Sequence, residues 1–330
     1  MFPLVQRFTR LLPKGFVLAF HDIPPEKVSE FIESLRPARP IPLPELVERS
    51  KQGKSTGGLF AITVDDGVGE TVRNLSHLFC ARRWPATFYI STGYLDSKEG
   101  MAFQWWRSLL PFLPARKLVL KSGAVVDLSR PGSVQELSRQ MERMWHSQRS
   151  EAYLPMTLEL AAVVIREHAL SPSFVRPPEP VSWAEVAELS RSEMIRFESH
   201  GVSHGAMSAL SDEEIATEMR VSQELVSSHT GQPCRHLAYP FGSAESIGPR
   251  AELIARKFYD SAVTMTLGNI DSANPWLLPR IPLYTKNSRW FAKMKLLVKC
   301  SDFSIRPTVV NGPSRTETTA ASLTEPSPHL

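Results

Sequence analysis

The apolar run Leu59–Val64 ends in two adjacent carboxylates and a glycine, Asp65-Asp66-Gly67. Asp-Gly after a strand is the ordinary signature of a turn. The doubled carboxylate asks for more, because two like charges so close repel unless a cation or other partner stabilises them. A metal at that strand end would make Asp66 a ligand and leave Asp65 free as a base. A second run, Ile195–Ser199, leads directly into His200-Gly201-Val202-Ser203-His204. Two histidines four apart in a helical turn project to one side, which suits a divalent ion. Alone this spacing is weak, since exposed or capping histidines share it. Gly201 stands where a thermolysin-like protease carries its glutamate, which argues against that chemistry.

Two further segments could contribute. Leu237-Ala238-Tyr239-Pro240-Phe241-Gly242 reads as a strand ending in a turn, and a backbone N–H released from the ladder there could serve as an oxyanion donor. His21 follows the apolar run Phe16–Phe20. A lone strand-end histidine is commonly a hydrogen-bonded structural group, but His21 falls at the same end of its strand as the other candidates.

These residues need elements to position them. Short apolar, β-rich runs at Phe16–Phe20, Leu59–Val64, Ala86–Ile90, Ile195–Ser199, 237–241 and 261–265 read as buried strands. Helical patterns lie between several of them. Ser182 and Ser211 each open an S-x-x-E capping box, and Gly231 supplies a stop for the second helix. Strands alternating with helices indicate parallel βαβ units, and their number favours a barrel, whose active site sits at the C-terminal strand ends. The rhythm breaks over about 97–180. There Trp105-Trp106, a hairpin-like KLVLKSGAVVDLS and helical patterns at 134–145 and 158–168 read as a mainly helical insertion, with Pro172, Pro177, Pro178 and Pro180 marking its exit. Residues 1–306 are thus expected to form one catalytic domain, and the Ser-, Thr- and Pro-rich 307–330 a disordered tail.

Composition sets outer bounds. The 330 residues, 42% hydrophobic and 22% charged, are ordinary for a folded domain and exclude collagen-like and coiled-coil architectures. The net charge of +4 comes without a dense run of Lys and Arg, so no nucleic-acid partner is expected. Three scattered cysteines, Cys80, Cys234 and Cys300, argue against a disulfide framework and a cysteine zinc site. A reducing compartment fits them. Charged residues and Pro13 interrupt the N-terminal apolar stretch, so an ordinary signal peptide is not expected, and no stretch is long and apolar enough to span a bilayer.

Taken together the motifs resemble the polysaccharide deacetylase family, the NodB-homology domain of carbohydrate esterase family 4, over residues 17 to 284. TVDDG at 63–67 is similar to the family's T-F-D-D-G, with Val64 for the usual phenylalanine, and SHGVSH at 199–204 keeps its histidine spacing. AYPFG at 238–242 looks like the A-Y-P-Y-G of one branch, which also has an early Y-H motif matched here by Phe20-His21. PATFYI at 85–90, SWAEVAEL at 182–189 and LPRIPL at 278–283 follow that branch in order. The resemblance implies a distorted (β/α) barrel. It also implies Asp65 as base, Asp66, His200 and His204 as metal ligands, and oxyanion and acetyl-pocket contacts from Tyr239, Pro240 and Phe241. Many members carry a general-acid histidine in a late L-x-H motif. The segment 278–284 has none, so His21 inherits that role.

The function so implied is metal-dependent removal of N-acetyl groups from an amino-sugar glycan or glycan intermediate. Zinc is the leading ion, and cobalt, nickel, iron and manganese suit the same donors. O-acetyl ester hydrolysis, or an inactive glycan- or metal-binding member of the fold, are the alternatives. A cytoplasmic location is expected. Two apolar stripes flanked by basic residues, at 2–12 and 290–298, are ordinarily read as packing against the barrel. The other reading is peripheral contact with the inner face of a membrane, where a lipid-linked glycan would be presented.

Overall fold

The computed structural model describes residues 14–97, 100–149, 152–271, 273–288 and 293. Its centre is a parallel sheet in the order β10-β1-β3-β4-β7-β8-β9, with β2 also pairing β3. The strands are β1 (Phe16–Phe20), β2 (Arg39–Pro40), β3 (Leu59–Val64), β4 (Ala86–Ile90), β7 (Ile195–Ser199), β8 (His236–Ala238), β9 (Ser261–Val263) and β10 (Ile281–Pro282). β1 pairs β3 with Leu18 opposite Ile62, and β4 pairs β7 with Phe88 opposite Phe197. Past β9, Val263 bridges Leu278 in parallel, and the chain from Leu278 runs into β10, which pairs β1. That segment curls the sheet toward closure, giving the expected distorted barrel.

The period of two sorts side chains onto two faces. Phe16, Leu18 and Phe20 of β1, with Phe60, Ile62 and Val64 of β3 and Phe88 of β4, pack in the core that the surrounding helices share. Val17, Ala61, Ala238 and Val263 face the other way, into a second core with Tyr89. Small inward residues suit the tight interior of a curled sheet, and aromatic outward ones fill the wider gap to the helices. Around the sheet lie α1 (Pro25–Ser34), α2 (Leu43–Lys51), α3 (Gly69–Arg82), α7 (Trp183–Leu189), α8 (Asp212–Thr230) and α9 (Ala244–Ala255), the last kinked at Gly248-Pro249. Both expected capping boxes form, at Ser182 with Glu185 and at Ser211 with Glu214, and Gly231 ends α8 in the left-handed conformation. α8 buries Ile215, Met219 and Val226 on one face, each worth about 1.5–3 kcal/mol of apolar burial.

Between β4 and β7 the insertion builds its own small core. It contains α4 (Ala102–Leu109), an antiparallel hairpin of β5 (Lys117–Val119) and β6 (Val125–Asp127), α5 (Ser133–Ser147) and α6 (Leu154–Glu167). Phe103, Trp106, Met141, Trp145, Leu160 and Val164 are buried together there. α6 begins four residues before the expected 158 because Pro155 occupies its first turn, where a missing N–H costs nothing. The insertion is tied back to the barrel at its exit. Val181 N donates to Gly67 O at 2.8 Å, and Gly69 N donates to Glu179 O at 2.8 Å. Both bonds grip the turn that carries the paired aspartates.

Two strands are shorter than the sequence suggests. The run 237–241 stops at Ala238, because Pro240 has no N–H to give the ladder and Phe241 and Gly242 turn to positive φ. The run 261–265 likewise ends at Val263. The apolar stripes at 2–12 and 290–298 and the tail 307–330 lie outside the described residues. Among the described residues no helix is long and apolar enough to cross a membrane.

Candidate active site

The C-terminal ends of β1, β3, β7 and β8 deliver His21, the Asp65-Asp66 pair, the His200–His204 loop and the 239–242 turn to one cavity of about 120 Å³. That is well below the roughly 300–1,000 Å³ of pockets that enclose a whole small ligand, so this cavity has room only for one end of a larger molecule. Larger hollows exist, about 410 Å³ beside Glu213 and Glu218 and about 630 Å³ along α1, but no histidine lines either of them. Of six non-glycine residues with positive φ among those described, three line the small cavity: Asp66 (76°), His204 (53°) and Phe241 (59°). Backbone strain of this kind persists where the surroundings hold a side chain in a required direction. Gly67 (φ 77°) follows the pair, and a Cβ there would meet Ile90 Cγ2 at 3.1 Å. Glycine is therefore what lets the strand end turn against β4.

Asp66, His200 and His204 converge. One carboxylate oxygen and one ring nitrogen from each histidine lie within 4.8 Å of one another, and all three residues are buried. His200 Nε2 is 3.7 Å and His204 Nε2 3.3 Å from Asp66 Oδ1, with the two rings 4.7 Å apart and inclined at 81°. His200 Nδ1 lies 2.7 Å from Ala238 O. A carbonyl only accepts, so Nδ1 carries a proton, and Nε2 is the ring nitrogen left facing the Asp66 carboxylate. Burial draws the His204 imidazole below its ordinary pKa, outweighing the pull of Asp66, which favours its neutral, ligating form. Burial pushes the Asp66 carboxyl up, but hydrogen bonds from His200 and His204 and the field of His21 and His204 outweigh it and hold the group well below the usual carboxylate range. A buried carboxylate and two imidazole nitrogens converging on one point are the donor set of a divalent cation, and these residues fit one.

The histidines do not sit in a helical turn, as their spacing suggested. Residues 200–204 form a loop in which Gly201 (φ 75°) and His204 (φ 53°) are left-handed. A carboxylate from the neighbouring helix holds it open: Glu218 Oε2 of α8 accepts from Val202 N at 2.6 Å and Ser203 N at 3.0 Å. On the other side Thr92 N and Gly93 N donate to the carbonyls of Gly201 and Val202, both at 3.0 Å.

Asp65 has a different environment, centred on Arg280, a residue absent from the sequence-based candidates. Its guanidinium is fully buried and grips Asp65 with both prongs, Nη1 to Oδ1 at 2.7 Å and Nη2 to Oδ2 at 2.6 Å. It also donates to Thr63 Oγ1 at 3.1 Å and, through Nε, to Thr264 O at 2.9 Å. Burial raises the Asp65 pKa. The charge of Arg280, then His200, the Arg280 hydrogen bonds and His21 more than offset that, so the group lies below its ordinary value. The sequence did carry a signal: an arginine inside the apolar LPRIPL needs an anionic partner if that run is buried. His21 stands at the mouth, with Nε2 3.7 Å from Asp65 Oδ2 and its ring stacked 6.4 Å from Tyr284.

The 239–242 turn contributes unevenly. Phe241 meets His204 edge-on at 4.7 Å and lines the cavity. Tyr239 also borders it, but its hydroxyl donates to Trp276 O at 3.1 Å and so is directed into the core. Pro240 is not part of the lining; its ring lies 3.9 Å from where a Cβ on Gly201 would stand. The insertion supplies three wall residues that the motifs did not indicate. Phe103 stacks on His204 at 4.7 Å, Arg107 lies over Phe103 at 5.1 Å, and His146 Nδ1 pairs with Ser243 Oγ at 3.0 Å.

No curated protein matches the chain. Solved structures do. The Streptococcus pyogenes deacetylase PplD in complex with acetate aligns at 14% identity over 86% of this chain and 99% of its own, with a TM-score of 0.52. IcaB from Ammonifex degensii aligns at 13% identity over 86% and 97%, with a TM-score of 0.55. The BpsB deacetylase domain from Bordetella bronchiseptica aligns at 15% identity over 83% and 96%, with a TM-score of 0.52. At such identities the likeness establishes the fold. The model of the polysaccharide deacetylase family matches residues 52–256, more than half of the sequence and a span that includes the paired aspartates, both histidines and the 239–242 turn, and the chain belongs to that family.

Proposed function

We propose that the protein is a metal-dependent hydrolase that removes N-acetyl groups from an amino-sugar glycan or glycan intermediate. The observation that carries the proposal is the buried Asp66–His200–His204 donor set directly beside a second, separately held carboxylate, Asp65. Asp66, His200 and His204 would hold a divalent ion, zinc being the first to try, which would polarise an acetyl oxygen and lower the pKa of water enough for deprotonation near neutral pH. Asp65 is the base. Arg280 keeps its carboxylate ionised and fixes its plane, and a proton taken from the attacking water would come to rest on one of its oxygens. His21 Nε2, 3.7 Å from Asp65 Oδ2, acts as the acid that protonates the departing amine.

Phe103, Phe241 and Met265 give the cavity an apolar wall suited to an acetyl methyl group, and exclude water around the reacting carbon. The Phe241 N–H has no hydrogen-bond acceptor among the described residues, which supports its assignment as oxyanion donor. The test is acetate release from N-acetylglucosamine oligomers, lipid-linked glycans and O-acetylated controls, with chelation and metal readdition. Chelator-insensitive release, or release from the esters alone, would overturn the proposal. Binding of N-acetylated glycans by metal-loaded protein without any acetate released would mark a non-catalytic binder.

A further inference from the structure

The acetyl cavity is too small for a sugar, so the rest of the substrate must lie across its mouth, and the groups there have a distinct character. Arg107 projects from α4 of the insertion, exposed, with its guanidinium 5.1 Å over the ring of Phe103, which in turn stacks on His204. On the barrel side Tyr284 stacks on His21, which lines the cavity, and Lys286 Nζ stands 5.9 Å over the Tyr284 ring. Burial raises the Tyr284 pKa, and the charge of nearby Arg107 partly offsets it. Neither Arg107 nor Lys286 has a carboxylate partner among the described residues, whereas most other surface arginines of the barrel and insertion are paired, as in Arg73–Glu185, Arg116–Glu167 and Arg250–Asp212. The nearby carboxylates are otherwise engaged. Asp65 is gripped by Arg280, Asp66 belongs to the donor set, and Asp22 accepts from Thr71 Oγ1 at 3.2 Å. His146, the remaining basic residue of the wall, is bonded to Ser243 and faces Glu245 and Glu142.

We propose that Arg107 and Lys286 receive a phosphate group attached to the acetamido sugar, so that the substrate is a sugar phosphate rather than a neutral glycan. The inference rests on the deacetylase reading and refines it by naming the substrate class. Two cations close to Tyr284 suit a group of charge near −2. A carboxylate, with a single charge, would be satisfied by Arg107 alone. The planar guanidinium, braced on Phe103, offers the forked donor that phosphate oxygens accept. Because the insertion supplies Arg107 and the barrel supplies Lys286, a phosphate bound between them would also hold the two parts together around the acetyl group.

The test is calorimetric titration of the metal-loaded protein with N-acetylglucosamine 1-phosphate and with the uncharged methyl glycoside of the same sugar, at low ionic strength. The phosphate compound is expected to bind at least about tenfold tighter, and each of R107Q and K286Q to remove about tenfold of that preference or all of it. Metal content, measured on the same samples, should stay at the wild-type level. Equal affinity for the two compounds, binding of neither, or a preference that survives in the R107Q/K286Q double variant would each overturn the proposal; the last would mean that the phosphate sits on the metal. A second arm separates the two sources of such a phosphate. The same headgroup is offered as a soluble short-chain phosphodiester and on a neutral phosphatidylcholine vesicle, and whichever form shows the Arg107-dependent preference identifies a free or a lipid-linked sugar phosphate. Acetate release is recorded separately, so failure of the deacetylase reading is distinguishable from loss of the charge preference.

Discussion

Arg280→Met isolates what the buried arginine does for Asp65. In the native protein the guanidinium is fully buried and holds the carboxylate with two hydrogen bonds, while also satisfying Thr63 Oγ1 and Thr264 O. Replacing it with an apolar chain of similar length fills the space but leaves an uncompensated carboxylate in the barrel interior. Breaking a buried ion pair in this way costs about 3–5 kcal/mol. The deficit should depend on pH in a definite direction. With Arg280 present the folded-state pKa of Asp65 is depressed, so its contribution to stability is present above the unfolded value of about 3.9 and lost only as pH falls below it. Without Arg280, burial dominates and the folded pKa rises above the unfolded one. The variant then loses stability as pH rises, and the gap to wild type is widest at neutral pH and narrows on acidification. Urea unfolding of chelator-treated wild type, R280M and R280K at pH 7.5 and 5.5 reads this as a shift in midpoint at constant slope. R280K, which keeps the charge but loses the two-pronged grip, should fall between the others. An R280M protein as stable as wild type at pH 7.5, or a deficit that does not shrink at pH 5.5, would refute the reasoning. In the metal-loaded enzymes, the acidic limb of the kcat/KM profile should move toward neutrality in R280M, because Asp65 must be ionised to accept a proton.

Further outcomes follow from the same geometry. Asp66→Ala, His200→Ala and His204→Ala should each lower bound metal, measured by elemental analysis of dialysed protein, and wild-type stoichiometry in all three would remove the donor set from the proposal. Asp65→Asn should keep its metal while turnover falls by about 10²–10⁴-fold; a fall of less than tenfold would mean that another group is the base. His21→Ala should slow amide hydrolysis by a similar factor and spare activated esters, whose leaving groups need no proton, so equal slowing of both would exclude His21 as the acid. Gly201→Ala would force a side chain into left-handed backbone at about 1–2 kcal/mol and bring its Cβ within 3.0 Å of Glu218 Oε2, weakening metal binding through the loop rather than the ligands. Unchanged metal affinity in that variant would show that the loop tolerates displacement.

The parts of this molecule that were legible in its sequence are those governed by local rules. The buried strands β1, β3, β4 and β7 fall where the apolar runs stand, because a strand covered on both faces must be apolar along its length. Both expected capping boxes formed, because their hydrogen bonds join residues three apart. Asp65, Asp66, His200, His204 and His21 do meet in one cavity, because parallel strands bring every C-terminal end to the same side. The errors share a different origin. The helical turn expected for His200 to His204 assumed that i, i+4 spacing implies helix, whereas the loop is shaped by Glu218 from α8, sixteen residues beyond Val202. β8 and β9 end early for reasons visible only in part, since Pro240 can be read from the sequence but the positive φ of Phe241 cannot.

Arg280 shows most clearly why site chemistry exceeds what motifs reveal. It lies 215 positions from Asp65, in a short segment that both bridges β9 and supplies β10 against β1. Its partner could be deduced only once the barrel was known to curl through that segment. The same curl brings Tyr284 beside His21, with Lys286 over the Tyr284 ring. The late segment is therefore part of both the fold and the site: it helps close the barrel, and its Arg280 balances the charge of Asp65. A motif-level reading, which looks there for a histidine and finds none, would record it as a loss. On the proposed reading the work is divided, with acid–base chemistry falling to β1 and β3 and charge compensation to the segment that draws the barrel together.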